Sequence, residues 1–74
     1  MTYTNMYQYV IERGGVSHDE RGYMRGKDWV SLYGARKFRD ERTALDAYKA
    51  SDLVGGVLIR TDKAYDTWQI MYTI

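Results

Sequence analysis

The run Ala35-Arg-Lys-Phe38, followed after Arg39 by Asp40-Glu-Arg-Thr-Ala44-Leu-Asp-Ala47-Tyr48, decides the architecture of this 74-residue chain. It joins a short extended segment to a capped helix. Asp40 has the short carboxylate that accepts N–H bonds from a first helical turn, and Glu41 places negative charge at the positive end of the helix dipole. The spacing predicts a helix over Glu41–Ser51, with Ala44, Ala47, Tyr48 and Ser51 on one face and Leu45 beside them. Small alanines on that face let a helix lie close against a sheet. Beyond it, Gly55-Gly56 supplies a turn with positive φ.

On either side of the helix the hydrophobic period changes to two. Met6-Tyr-Gln-Tyr9-Val-Ile11-Glu12 reads as a strand, with Tyr7, Tyr9 and Ile11 alternating, and Gly14-Gly15 ends it. Gly22-Tyr23-Met24-Arg25 and Asp28-Trp29-Val30-Ser-Leu32-Tyr33 flank Gly26-Lys27 as two strands around a type II′ turn. Ala35–Phe38 then forms an edge or bend segment. After the helix, Val57-Leu-Ile59-Arg-Thr61 is an apolar run suited to a well-covered strand, and Asp62 to Asp66 is a turn. Thr67–Ile74 alternates, with Trp68, Ile70, Tyr72 and Ile74 expected on one face and Gln69, Met71 and Thr73 on the other. The fold class is α+β: residues 1–74 form one two-layer domain, an antiparallel sheet of four to five strands with one helix packed on it, in the order β-β-β-α-β-β.

Composition narrows the function. A chain of this length buries only about 60% of the surface its unfolded form exposes, so packing must be good or a partner must contribute area. Cysteine is absent, which excludes disulfides and thiolate sites. The opening residues carry neither a basic nor an apolar leader pattern, and no stretch approaches the ~20 apolar residues of a membrane span. The expectation is a cytoplasmic protein without membrane contact. Net charge is +1, yet Arg13 to Arg42 holds eight Lys or Arg against five acids, a surplus of three that gives the molecule a basic side.

His18-Asp19-Glu20 has metal-ligating side chains, but adjacent loop residues do not converge on one ion and no second His or Cys completes a set. Asp40 with Glu41 is explained by helix capping, and Asp62 with Asp66 by a turn. With no nucleophile–base pair, phosphate loop or metal signature, the chain is expected to be non-enzymatic and to need no metal or cofactor. Basic residues interleave with aromatics from Arg21 to Arg39, the pattern of single-strand nucleic-acid binding, although five acids in the same region blunt the field. Tyrosine is abundant, eight residues beside two Trp, and a core this small cannot shelter them all. Tyr, Trp and Arg are the residue types enriched among interface hot spots, which favours a protein interface or self-association.

The order of signals also resembles a class of small phage and bacterial accessory domains. The shared positions are Tyr9-Val-Ile11, Gly22-Tyr23-Met24, Trp29, Ala35-Arg-Lys-Phe38, and Ala44 with Ala47, spanning residues 7 to 61. They are the positions of a helix-on-sheet core, and Trp68 lies outside them. The resemblance implies a phage-encoded inhibitor of a host defence system, anti-CRISPR proteins among them, acting in the host bacterial cytoplasm by occupying the surface of a protein or ribonucleoprotein complex. The expected partner-binding residues are Tyr23, Arg25, Lys27 and Trp29 on the hairpin, with Arg36 and Arg39 leading into the helix. The Arg side chains would pair with acidic groups or replace phosphate contacts, and Tyr23 and Trp29 would anchor. A homodimer is a further expectation, nucleic-acid binding by the basic and aromatic hairpin face is the alternative, and Trp68–Ile74 is the second candidate surface.

Overall fold

Asp40 opens the helix as its side chain requires. Its backbone is extended, at φ −146° and ψ 163°, and its carboxylate accepts the Thr43 N–H at 2.8 Å. Those Thr43 hydrogen bonds hold the Asp40 carboxyl below the usual carboxylate range. The computed structural model, which describes residues 7–17 and 20–74, runs β1 (Tyr7–Arg13), β2 (Tyr23–Arg25), β3 (Asp28–Val30), α1 (Glu41–Ser51), β4 (Gly56–Asp62) and β5 (Trp68–Thr73). The five strands form one antiparallel sheet in the order β3-β2-β1-β4-β5, with α1 across one face. This is the expected α+β domain.

The core lies between helix and sheet. Ile11, Met24, Phe38, Ala44, Tyr48 and Leu58 form it, with Tyr9, Trp29, Ala47, Leu53, Met71 and Ile74 packed around them. Ala44 and Ala47 admit the close approach, and Tyr48 reaches past them to accept the Gly56 N–H on its hydroxyl at 2.8 Å. The helix closes on Asp52 in the left-handed region (φ 64°), a position that the sequence pattern did not single out, and Gly55 follows at φ 79°. Gly26 supplies the positive φ of the β2–β3 turn at 61°, the first central position of a II′ turn. At the β4–β5 turn the Asp62 carboxylate accepts the backbone N–H groups of Asp66 and Thr67, so the turn reading of that aspartate holds.

Pairing of β1 with β4 sets which residues face the helix. Ile11 opposes Leu58 on the helix side and Val10 opposes Ile59 on the other, and all four are fully buried. One edge of β1 is divided between two partners. Glu12 pairs with Tyr23 of β2, while Tyr9 exchanges backbone hydrogen bonds of 2.8 and 2.9 Å with Phe38, which docks the segment ahead of the helix against the sheet.

Val10 and Ile59 are buried on a face that no helix covers. Two aromatic rings account for this. Tyr23 on β2 and Trp68 on β5 lie three strand positions apart, about 14 Å of sheet, yet their ring centroids meet edge to face at 6.0 Å. The rings therefore lean inward over the two central strands and close the face above Val10 and Ile59.

The alternation expected for the last strand is corrected by a β-bulge. Ile59 opposes Ile70 but its neighbour Leu58 opposes Tyr72, so Met71 is an extra residue on β5. Trp68 and Ile70 stay on the helix-free face, whereas Tyr72 turns to the helix side and donates its hydroxyl to the Glu41 carboxylate at 2.9 Å. Met71 and Ile74 pack against the core. The simple period fails because helix-side packing claims two successive residues.

Candidate functional site

The hairpin alternation separates the anchors expected from sequence. Tyr23 opposes Val30, and Met24 opposes Trp29. Tyr23 thus lies on the helix-free face, and Trp29 lies on the helix side, half-buried against the core. The Tyr23 hydroxyl donates to the Glu12 carboxylate at 3.0 Å. Burial first, then the Glu12 hydrogen bond and charge, push its phenol up from 10.0 to about 12. Arg25 shares that face and is exposed, but its guanidinium donates to the Gly34 carbonyl at 2.9 Å and fixes the loop after β3.

The Tyr23 bond has a testable consequence. A phenol whose pKa is higher folded than unfolded contributes stability that is fully present below pH 10 and is lost as the pH rises through about 12. Tyr23→Phe is expected to lower stability by about 1 kcal/mol at neutral pH. Denaturant melts through the alkaline range should show the variant losing less stability than the parent across that window, and parallel curves would contradict the assignment.

Arg36 and Arg39 lie on the segment that leads into α1, and Lys27 lies in the β2–β3 turn. Lys27 and Arg36 are exposed at the rim of a shallow groove of about 240 Å3 between the hairpin turn and the helix. Met24, Ala47 and Ala50 give it an apolar floor. The Arg36 guanidinium lies over the Phe38 ring, 5.1 Å from its centre, and the residue is otherwise exposed. At the other end of the same segment, Arg39 borders a larger hollow of about 430 Å3 with Tyr7, Lys37, Asp40 and Lys63.

The Arg36–Asp40 segment runs between the two concavities as a basic ridge, Arg36 bordering the first and Lys37 to Asp40 the second. Lys37 serves the fold within it, donating to the carbonyls of Leu32 at 2.6 Å and Ala35 at 2.9 Å, with Tyr33 farther off at 3.4 Å. Lys63 was not singled out in the sequence. It sits in the β4–β5 turn, and only the Tyr7–Asp62 register of the central strands brings that turn beside Arg39. Trp68 and Ile70, in the second candidate segment, remain exposed by 39% and 67% and lie far in sequence from the ridge.

A cationic rim over an apolar floor can take a carboxylate next to an apolar side chain, with Arg36 forming the directional bonds and Lys27 adding charge. Among the described residues no group of three or more His, Asp or Glu side chains could hold a metal ion. His18 and Asp19 of the sequence cluster lie outside the described residues. No described helix is long and apolar enough to cross a membrane. No protein-family model, curated protein or solved structure matches the chain.

Proposed function

We propose that this is a non-enzymatic interaction protein that occupies an acidic and apolar patch on a partner protein through the groove between the β2–β3 turn and α1. The observation that carries the reading is the groove itself, with Lys27 and Arg36 at the rim and Met24, Ala47 and Ala50 beneath. Isolated surface ion pairs contribute little, so the apolar floor matters as much as the charges. The partner class is a bacterial defence complex, protein or ribonucleoprotein, which the chain inhibits by covering its surface. This finer identity rests on the phage-type resemblance of the core positions.

Affinity capture from bacterial lysate, with and without nuclease, tests the reading when run beside a Lys27→Glu, Arg36→Glu double variant. Both side chains are exposed, so the variant should keep its circular dichroism and melting profile. A stoichiometric protein partner that survives nuclease and is lost with the double variant is the expected result, with affinity falling at least about tenfold. Undiminished binding by the variant sinks the assignment.

A second reading, nucleic-acid binding, is favoured by the larger hollow, which Arg39 and Lys63 border together with Tyr7. It makes a separate demand. Cations that neutralise phosphates release counterions, so affinity must fall steeply with salt, and capture must vanish with nuclease.

A further inference from the structure

We infer that the chain self-associates through β5, two copies pairing their terminal strands antiparallel so that the sheets run on as one. The surface is distinct from the basic ridge, and the inference goes beyond the proposed binding role. β5 ends the sheet and, among the described residues, is paired with β4 alone. An outer strand leaves a row of backbone N–H and C=O groups without ladder partners, and natural sheets blunt such rows with short strands, charged side chains, proline or β-bulges.

The two edges of this sheet differ on that point. β3 is three residues long, begins with Asp28 and follows Lys27. β5 is six residues long, and from Thr67 to Ile74 there is no charged residue and no proline. That feature selects a second copy as the occupant. When a strand pairs with itself antiparallel, the residues at and beside the two-fold axis meet their own copies, and like charges brought together there are destabilising. An uncharged strand is free of that penalty.

The bulge does not interrupt the pairing run. It lies at Met71, while Trp68, Gln69 and Ile70 keep regular register with Thr61, Arg60 and Ile59. A two-fold axis at Gln69 sets each Trp68 beside the Ile70 of the other copy on the helix-free face. Trp68 and Ile70 are among the exposed large apolar side chains, and this arrangement covers them with cross-strand apolar contacts.

Light scattering after size exclusion, over about 1–100 µM, reads the result directly. The expected mass rises with concentration from the 8.7 kDa of one chain to twice that value. Hydrogen exchange should show β5 amides gaining protection over the same range. Ile70→Lys, at an exposed position, sets a charge against the Trp68 of the other copy on each side of the axis, and should leave the fold intact and weaken association at least about tenfold. Val54→Lys, at an exposed apolar residue outside the strands, should leave association unchanged. A single-chain mass at every concentration, an Ile70→Lys protein that stays dimeric, or equal loss in both variants each overturns the inference. An edge that accepts only a strand from another protein would give the first of those results.

Discussion

Gly56→Ala is expected to destabilise the protein by about 2–4 kcal/mol. A Cβ at this position would lie 2.5 and 2.8 Å from two carbons of the Tyr48 ring and 2.9 Å from the Ile11 Cγ2, all of them in the core. No flexible side-chain end can yield there. The ring must move, and when it moves it withdraws the hydroxyl that accepts the Gly56 N–H. Overpacking and a lost buried hydrogen bond then act together. A domain of this length has a total stability of roughly 4–11 kcal/mol, so the substitution removes a large share of it. Urea melts should show the midpoint falling with the slope retained, whereas a midpoint equal to the parent's would mean that the helix can lift from the sheet at no cost.

The second large effect is expected on the other face. Trp68→Ala should cost about 2–3 kcal/mol, although Trp68 is 39% exposed and no helix packs on it. Its ring meets Tyr23 over the central strands, and without it Val10 and Ile59, both fully buried, come within reach of water. The melt should be run at low concentration, so that loss of strand pairing between copies does not add to the figure. Trp68→Phe should recover part of the difference by keeping a ring in the arch, while an alanine variant as stable as the parent would show that Val10 and Ile59 are sheltered by other side chains.

These two sites mark the limit of what the sequence makes legible. Helix bounds, the Asp40 cap, the II′ turn at Gly26 and the succession of elements along the chain follow from local chemistry, because each is decided by residues within a few positions of one another. Gly56 reads as turn punctuation, and its actual task is to leave room for a tyrosine one helix turn and a loop away. The bulge at Met71 cannot be seen in Thr67–Ile74, where the alternation is unbroken, since it goes with the packing of Met71 against the core and the bond of Tyr72 to Glu41 on the helix, both distant in sequence.

The candidate site divides along the same line. Lys27 on the hairpin and Arg36 and Arg39 ahead of the helix are legible as exposed cations from the sequence alone. Lys63 required the register of two strands distant in the chain. The separation of Tyr23 from Trp29 follows from a register that places one residue opposite Val30 and the other opposite Met24. In a short hairpin a shift of one residue exchanges the two faces, and composition alone does not choose between them.

The central ladder joins the first described strand to the fourth, with Tyr7 against Asp62 and Arg13 against Gly56. Closing it spans most of the chain and carries the loop-entropy cost of non-local contacts before the apolar pairs Ile11–Leu58 and Val10–Ile59 can offset it. The β2–β3 hairpin and the helix can form early, but neither contains a complete core, because Leu58 and Ile59 follow them in the chain. Productive folding therefore begins only after β4 has been synthesised, and its rate is governed by the search of one early strand for one late strand.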